Sequence, residues 1–201
     1  AYLPVCAILD SRFNEAVAAD IREGPLLKAA GNIERFGLSN KISLKQTNGL
    51  SGFEQKPSDV VAISGLGGLE MIDIIKAAPA IWPLLVLQPQ KSAAQLRRFL
   101  TESGYEIKDE RLCLDGNRIY TAMLAEYRSS NLKPLVLDAV DCYLGPVLRR
   151  EQPPLFAGYL KKQREQASFI SRKDPKLKAM VETMDQLLAA LAVVEPPLSR
   201  K

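Results

Sequence analysis

Along the first 104 residues of the chain, short apolar runs alternate with stretches in which apolar residues recur at the spacing of an α-helix. The short runs predict strands at 15–19, 42–46, 59–64 and 84–87, and the composition of 59–64 indicates burial on both faces. The helical stretches predict helices at 1–9, from 24 to just before Gly37, at 69–78 and at 92–102. Alternation of this kind is typical of parallel strands joined by crossover helices. The pattern therefore predicts an α/β fold with a doubly wound sheet.

The pattern then changes twice. Two apolar segments, 105–114 and 118–127, flank the turn signal Asp115-Gly116 and predict a hairpin. After Gly145-Pro146 only helical spacing remains, with Asp174 as an expected N-cap and a seam of apolar residues after it. We therefore expect two domains, an α/β domain over 1–145 and a helical hairpin resembling a coiled coil over 146–201. The apolar positions of the helix that begins at residue 24 (Leu26, Leu27, Ala30, Ile33) and of the first C-terminal helix (Phe156, Tyr159, Leu160, Ala167, Ile170) are predicted to face the core.

Composition excludes several classes of protein. The chain has 201 residues, of which 47% are apolar and 25% charged, as in globular proteins. No apolar run approaches the length of about 20 residues that spans a membrane, so no membrane association is expected. The three cysteines form no CxxC pair, which predicts a reducing, cytoplasmic setting without a thiolate metal site. Because the chain has no histidine, Ser-His and Cys-His catalysis and histidine-ligated metals are excluded within it.

Polar loops follow the predicted strands, at the edge where open α/β sheets bind ligands. Asp20 offers a carboxylate that can accept from both hydroxyls of a ribose, and Asn48 offers an amide that can accept from an adenine amino group. Gln88-Pro89-Gln90 offers two uncharged amides that can recognise the edge of a planar base. Each has a simpler interpretation as well, respectively a surface aspartate, an Asn-Gly turn and the end of a strand.

Ser64-Gly65-Leu66-Gly67-Gly68 lies between a buried strand and a helix. Its three glycines let the backbone approach a ligand closely and predict N–H groups left free at the helix start. The segment is neither a GxGxxG dinucleotide motif nor a phosphate-binding loop with a lysine, and a purely structural tight turn is the alternative.

Positive charge is concentrated at the end of the chain. Residues 146–201 contain 11 Lys/Arg and 6 Asp/Glu, a net charge of +5, whereas the first 145 residues sum to −1. Such a tail favours a polyanion such as RNA, because phosphates are bound by charge. A solvated helical face is the alternative. The candidate RNA-binding residues that cluster here are Lys161, Lys162, Arg164, Arg172 and Lys173.

The order of these motifs resembles the TrmK family of bacterial tRNA (adenine-N1)-methyltransferases. The motifs that carry the resemblance are Ala1-Tyr2-Leu3-Pro4, Glu23-Gly24-Pro25, Asn48-Gly49-Leu50, residues 63–68, Leu87-Gln88-Pro89, Leu96-Arg97-Arg98-Phe99-Leu100, Gly104-Tyr105, Tyr120 and Leu144-Gly145-Pro146. The resemblance covers about residues 1–160. It implies a Rossmann-like methyltransferase domain with a C-terminal coiled coil, S-adenosylmethionine (SAM) as cofactor and the adenine at position 22 of tRNA as target.

The resemblance also implies roles for particular residues. The residues implied to contact the cofactor are Tyr2, Leu3, Asp20, Ile21, Asn48, Gly49, Ser64, Gly65, Leu66 and Gly67. Gln88 and Gln90 are the candidates for positioning the base, and no catalytic acid or base is assigned. The sequence departs from the family where it has Asp20 for glutamate, Asn48 for aspartate, Ser64 for alanine, Leu66 for methionine and Gln90 for asparagine. The family's first strand and glycine-containing loop would precede Ala1, and we expect them to be missing from this chain.

The sequence is therefore compatible with three functions. The first is a SAM-dependent methyltransferase acting on N1 of adenine 22 in tRNA. The alternatives are a methyltransferase of the same fold with another RNA or a small-molecule target, and a non-catalytic RNA-binding protein. Metal is expected in none of them, and the oligomeric state, monomer or dimer, is left open.

Overall fold

The computed structural model describes residues 1–128, 135–171 and 175–194. Helices and strands alternate up to a final β-hairpin, except that β3 follows β2 directly, and the elements described after the hairpin are helices. The elements are α1 (Tyr2–Leu9), β1 (Ala16–Asp20), α2 (Glu23–Arg35), β2 (Ile42–Gln46), β3 (Val60–Ser64), α3 (Gly68–Lys76), β4 (Leu84–Gln88), α4 (Ala93–Glu102), β5 (Tyr105–Asp115), β6 (Arg118–Tyr127), α5 (Ala139–Leu144), α6 (Pro146–Glu151), α7 (Phe156–Ser171) and α8 (Pro175–Val194).

The chain divides into two compact units, and the first comprises residues 1–55 and 73–81. Its strands β1 and β2 are parallel and in register from Ala16 opposite Ile42 to Asp20 opposite Gln46. A small apolar core formed by α1, α2 and β2 holds this unit together, because burying such side chains removes apolar surface from water. Its buried members are Val5, Ile8, Ile33, Leu38 and Ile42.

The second unit comprises residues 56–72 and 82–201 and contains a four-stranded sheet in the order β3-β4-β6-β5. Strands β3 and β4 are parallel, and Ser64 lies opposite Gln88 at their carboxyl ends. Strand β6 runs antiparallel to both of its neighbours, and the hairpin turns at Gly116, whose φ is +55°. This sheet fixes the ends of β3 and β4 side by side, with Leu85 and Leu87 of β4 fully buried.

The four C-terminal helices share one apolar cluster in the second unit. Phe156, Leu160 and Ala167 of α7 pack with Met180 and Met184 of α8, as the predicted helical hairpin requires. The fold class, a Rossmann-like α/β sheet with a C-terminal helical hairpin, is thus confirmed. The domain boundary at residue 145 stays a prediction.

The structure corrects three details of the burial pattern. Strand β3 is covered on one face only, because Val61 is buried while Ala62 and Ser64 are exposed. Leu27 is 65% exposed, because α2 turns Ala29 and Ile33 toward the core instead. Ile170 is 47% exposed near the end of α7. Asp174, the expected N-cap, lies outside the described residues.

Candidate cofactor and base site

Two of the predicted ligand-binding residues come together at the end of the parallel pair β1–β2. Asp20 is the last residue of β1, and Asn48 lies two residues beyond the end of β2. The N–H of Thr47 donates to the carbonyl oxygen of Asp20 at 3.1 Å, which fixes the two strand ends to each other. Adjacent parallel strands therefore bring the carboxylate and the amide to one edge, as the sequence predicts.

The Asp20 carboxylate is held by its own loop. Its Oδ1 accepts from the backbone N–H of Arg22 at 2.8 Å, and the Arg22 guanidinium Nε lies 3.8 Å from the same oxygen. About a third of the side chain is exposed, so the carboxylate is both oriented and accessible. An oriented acceptor is suited to a pair of ribose hydroxyls, since little entropy is lost in fixing it.

Asn48 is exposed and is followed by a glycine that the turn requires. Gly49 has a φ of +59°, and a Cβ at this position would lie 3.1 Å from Cγ2 of Ile74. Tyr2 and Leu3 on α1 and Ile21 after β1 are each more than half exposed in the same unit. These side chains are available to a ligand, and their contact with a cofactor stays a prediction.

In the second unit, the ends of β3 and β4 bring the glycine segment and the two glutamines together. The backbone N–H of Gln90 donates to the carbonyl oxygen of Leu66 at 2.8 Å, and that of Gly68 donates to the carbonyl oxygen of Lys91 at 2.8 Å. A Cβ on Gly68 would lie 2.4 Å from the carbonyl oxygen of Ser92. The glycines therefore permit two backbone segments to approach each other closely.

The prediction that the N–H groups of this loop are free is wrong for three of them. Gly65 donates to Gln88 Oε1 at 3.2 Å, Gly67 donates to Glu70 Oε2 at 2.6 Å, and Gly68 is bound to Lys91. Glu70 follows Gly67 at the spacing of a capping box, so the sequence itself contains the signal for this second bond. Gly65 has a φ of +79° and no atom within 4 Å of a Cβ built there, so open space adjoins the loop at this residue.

Gln88 and Gln90 are hydrogen bonded to each other. Gln90 Nε2 donates to Gln88 Oε1 at 3.1 Å, and the Gln90 side chain is exposed. Gln88 Nε2 is buried and has no partner among the described residues. A buried amide nitrogen without a partner is uncommon in folded proteins.

The described residues contain no cluster of acidic or cysteine side chains that could hold a metal ion. Within the same ranges, none of the helices is long and apolar enough to cross a membrane.

The candidate tRNA-binding residues differ in their surroundings. Lys161 and Lys162 lie on α7, where both are solvent-accessible. Arg164 instead makes two hydrogen bonds to Asp185 of α8, at 2.7 and 2.9 Å. This pairing raises the pKa of Arg164 and lowers the pKa of Asp185, so the two charges are held together. Arg172 and Lys173 lie outside the residues whose side chains the structure describes.

Parallel strands with polar loops at their carboxyl ends, followed by a helical hairpin, define a protein of the Rossmann-like α/β class, which binds its ligands at that edge. A structure from Streptococcus pneumoniae described as a putative tRNA (m1A22) methyltransferase superposes with a TM-score of 0.78 and 27% identity, covering 94% of this chain and 88% of that one. A second structure of that protein, in complex with S-adenosyl-L-methionine, gives a TM-score of 0.78 at 28% identity, covering 93% and 87%. The tRNA (adenine(22)-N(1))-methyltransferase of Bacillus subtilis is 29% identical over 205 residues, covering 93% of this chain and 84% of that protein.

The model of the TrmK family, tRNA (adenine(22)-N(1))-methyltransferase, matches residues 1–195. This chain belongs to the TrmK family.

Proposed function

We propose that this chain transfers the methyl group of SAM to N1 of the adenine at position 22 of tRNA. Membership of the TrmK family over residues 1–195 is the observation that carries this proposal. The relative from Streptococcus pneumoniae with the same fold binds SAM, which supports the choice of cofactor. We place the reaction in the cytoplasm, where the tRNA substrate is available.

The residues at the strand ends fit the cofactor chemically. The oriented Asp20 carboxylate would accept from the ribose hydroxyls, and the exposed Asn48 amide would accept from the adenine amino group of SAM. Ile21, Gly49, Tyr2 and Leu3 are the other residues of the first unit that we assign to the cofactor. For Ser64, Gly65, Leu66 and Gly67 of the second unit, a role at the cofactor stays a prediction from the sequence, and the open space beside Gly65 is compatible with ligand binding there.

When bound, SAM supplies an electrophilic methyl group on a sulfonium sulfur. Adenine N1 has a lone pair and needs no deprotonation to attack, so this chain's residues are required mainly to align the base, to exclude water and to tolerate its positive charge after methylation. A covalent nucleophile is unnecessary, in agreement with the absence of histidine from the sequence. Gln88 and Gln90 are the residues we assign to positioning the base.

The C-terminal helices would hold the rest of the tRNA. Lys161 and Lys162 are accessible cations on α7, and Arg164 is a weaker candidate because Asp185 already pairs with it. Arg172 and Lys173 stay predictions from the sequence.

Methylation of a tRNA transcript tests the proposal directly. The chain, SAM and a tRNA with adenine at position 22 should give a reverse-transcription stop at that nucleotide, and a transcript with guanine there should not. Methylation at another nucleotide would contradict the assigned target, and no methylation of either transcript would contradict the activity.

Single substitutions test the assignment of the two glutamines. We expect Gln88→Ala or Gln90→Ala to lower kcat by about 10-fold or more while SAM affinity stays near wild type, because alignment acts on the transition state. Gln95→Ala, on the exposed face of α4, is the matched control and should have no effect. Normal turnover with weakened SAM binding would place these amides at the cofactor instead.

A further inference from the structure

The hydroxyl of Tyr159 attaches helix α7 to two earlier helices of the second unit. Tyr159 is buried, with 3% of the residue exposed, and its hydroxyl donates to the carbonyl oxygen of Tyr143 in α5 at 3.1 Å. Arg97 Nη1 of α4 donates to the same carbonyl oxygen at 3.0 Å, and Arg97 Nη2 lies 3.5 Å from the Tyr159 hydroxyl. One carbonyl oxygen of α5 is therefore shared by a side chain of α4 and a side chain of α7.

Helix α4 is fixed to the four-stranded sheet at the same place. Arg97 Nε lies 2.8 Å from Glu110 Oε1 of β5, and both side chains are fully buried. Helix α4 begins at Ala93, shortly after Gln88 and Gln90. The position of α7 is therefore set against the helix that follows the two residues assigned to positioning the base.

Much of the remaining packing of α7 is apolar. Phe156 and Leu160 of α7 share one cluster with Leu144 of α5 and Leu148 of α6. Burial of apolar surface is non-directional, so it favours contact without determining how far a helix is rotated about its axis. A hydrogen bond, in contrast, requires a particular distance and angle. The Tyr159 hydroxyl is thus suited to fixing the rotation of α7.

The rotation of α7 decides where Lys161 and Lys162 lie. They follow Tyr159 by two and three residues, which corresponds to about 200° and 300° around the helix. Tyr159 faces inward, and both lysines are exposed. The bonds between Arg164 and Asp185 join α7 to α8, so they hold the hairpin together without relating it to α4.

We propose that Tyr159 is a positioning residue for tRNA, whose hydroxyl sets α7 against α4 so that Lys161 and Lys162 meet the tRNA backbone while the target adenine lies at the end of β4. This inference rests on the proposed function. It adds a residue that the pattern of charges in the sequence does not indicate, because Tyr159 occupies an apolar helix face and is predicted only as a core residue.

Tyr159→Phe tests this role without changing any charge. The ring that lies beside Phe156 is retained, and the carbonyl oxygen of Tyr143 keeps its bond from Arg97, so we expect the variant to fold. The logarithm of the tRNA binding constant, plotted against the logarithm of the salt concentration, should have a slope shallower by about 0.7–0.9 for each phosphate contact that is lost. The KM for tRNA should rise, and SAM affinity should stay at the wild-type value.

Tyr143→Phe is the matched control, because Tyr143 takes part in the network through its backbone carbonyl oxygen and not through its hydroxyl. Its salt slope, KM for tRNA and SAM affinity should equal those of the wild type. A folded Tyr159→Phe chain with the wild-type slope would overturn the positioning role, since a contribution to stability alone does not alter the number of phosphates bound. A Tyr159→Phe chain that fails to unfold cooperatively in urea would overturn it too, because the hydroxyl would then be required for the fold itself.

A triple variant tests whether Tyr159 acts through the two lysines. Adding Tyr159→Phe to Lys161→Gln/Lys162→Gln should flatten the slope no further, because the contacts that Tyr159 positions are already removed. Changes in slope that add in full would overturn the link between Tyr159 and the lysines. A wild-type slope in the lysine variant would do the same, since no phosphate contact would remain to be positioned. Failure of the wild type to methylate position 22 of tRNA would instead contradict the proposed function.

Discussion

Asp20 and Asp10 have similar local surroundings and different positions in the fold. Each carboxylate lies 3.8 Å from the guanidinium of an arginine two residues further on. Of the two, Asp20 alone ends a strand, and there a neighbouring strand end offers a second polar group. Asp10 therefore has the surface ion pair without the position at a strand end, and Asp20 has both.

We expect Asp20→Ala to weaken SAM binding by about 1–3 kcal/mol, the usual cost of removing hydrogen bonds to a charged group. Asp10→Ala is the matched control and should leave the affinity unchanged, because an exposed ion pair contributes little. Isothermal titration calorimetry measures both. Equal affinities of the two variants would remove Asp20 from the cofactor site.

At the scale of single residues, the sequence predicts which polar residues follow the strands, but it does not predict which hydrogen bonds their polar atoms make. Gln88 and Gln90 are predicted as a pair of amides near the base, and their order as donor and acceptor depends on Gly65, 23 residues away from Gln88. The N–H groups of Gly65 and Gly68, expected to be free, are occupied for the same reason. Their partners come from β4 and the loop after it, and a local pattern contains no information about such contacts.

At the scale of helices and strands, the burial of Arg97 is unusual for a charged residue. A charged residue on a helix is ordinarily exposed, yet Arg97 of α4 is fully buried. Its Nε lies 2.8 Å from Glu110 Oε1 of β5, and its Nη1 donates to the carbonyl oxygens of Cys142 and Tyr143 in α5. Burial opposes the charged form, but Tyr159 and Glu110 favour it, and the pKa of Arg97 is raised.

Glu110 extends this network to the next helix. Its second oxygen accepts from the backbone N–H of Val147 at 3.0 Å, at the start of α6. Gly145 passes beside it with a φ of +94°, and a Cβ there would lie 2.4 Å from Glu110 Oε2. The Leu144-Gly145-Pro146 motif in the sequence thus has a structural explanation, because glycine alone leaves room for the buried carboxylate.

We therefore expect Gly145→Ala to destabilise the chain by about 2 kcal/mol or more, because it adds both backbone strain and a clash with a buried charge. Gly158→Ala is the matched control in α7, where the nearest side-chain atom would be at 3.5 Å and alanine should stabilise the helix by about 0.5–1 kcal/mol. Urea unfolding measures both changes. A Gly145→Ala variant as stable as Gly158→Ala would contradict this explanation of the motif.

The strands are predictable within one or two residues because each is a short apolar run bounded by turn residues. The bounds of β2 match the prediction, and the β5–β6 hairpin turns where Asp115-Gly116 indicates. Helices α5 and α6 escape prediction because six residues make fewer than two helical turns and show no usable periodicity. The predictions for Leu27 and Ile170 are wrong because apolar spacing on a helix does not determine which of two adjacent stripes is covered.

For the molecule as a whole, the sequence indicates where positive charge is concentrated, and the structure shows which of the cations are paired with carboxylates. The net charge of +5 over residues 146–201 treats all cations as equal. The structure distinguishes them: Arg164 is paired with Asp185, and Arg149 bonds both Asp138 and Asp141 at 2.9 Å. Because paired charges attract a polyanion weakly, Lys161 and Lys162 become the stronger candidates for binding phosphates.

We expect the double variant Lys161→Gln/Lys162→Gln to bind tRNA with a weaker dependence on salt. The slope of the logarithm of the binding constant against the logarithm of the salt concentration should become shallower by about 0.7–0.9 for each phosphate that the variant no longer neutralises. The KM for tRNA should rise, and SAM affinity should not change.

The matched control is the double variant Arg164→Gln/Asp185→Asn, which removes one charge of each sign from the same pair of helices. Its slope should equal that of the wild type, because the net charge facing the tRNA is preserved. The slope is measured from tRNA binding at a series of salt concentrations. If the lysine variant keeps the wild-type slope, phosphates are not bound at these lysines, and the C-terminal hairpin contributes to the fold alone.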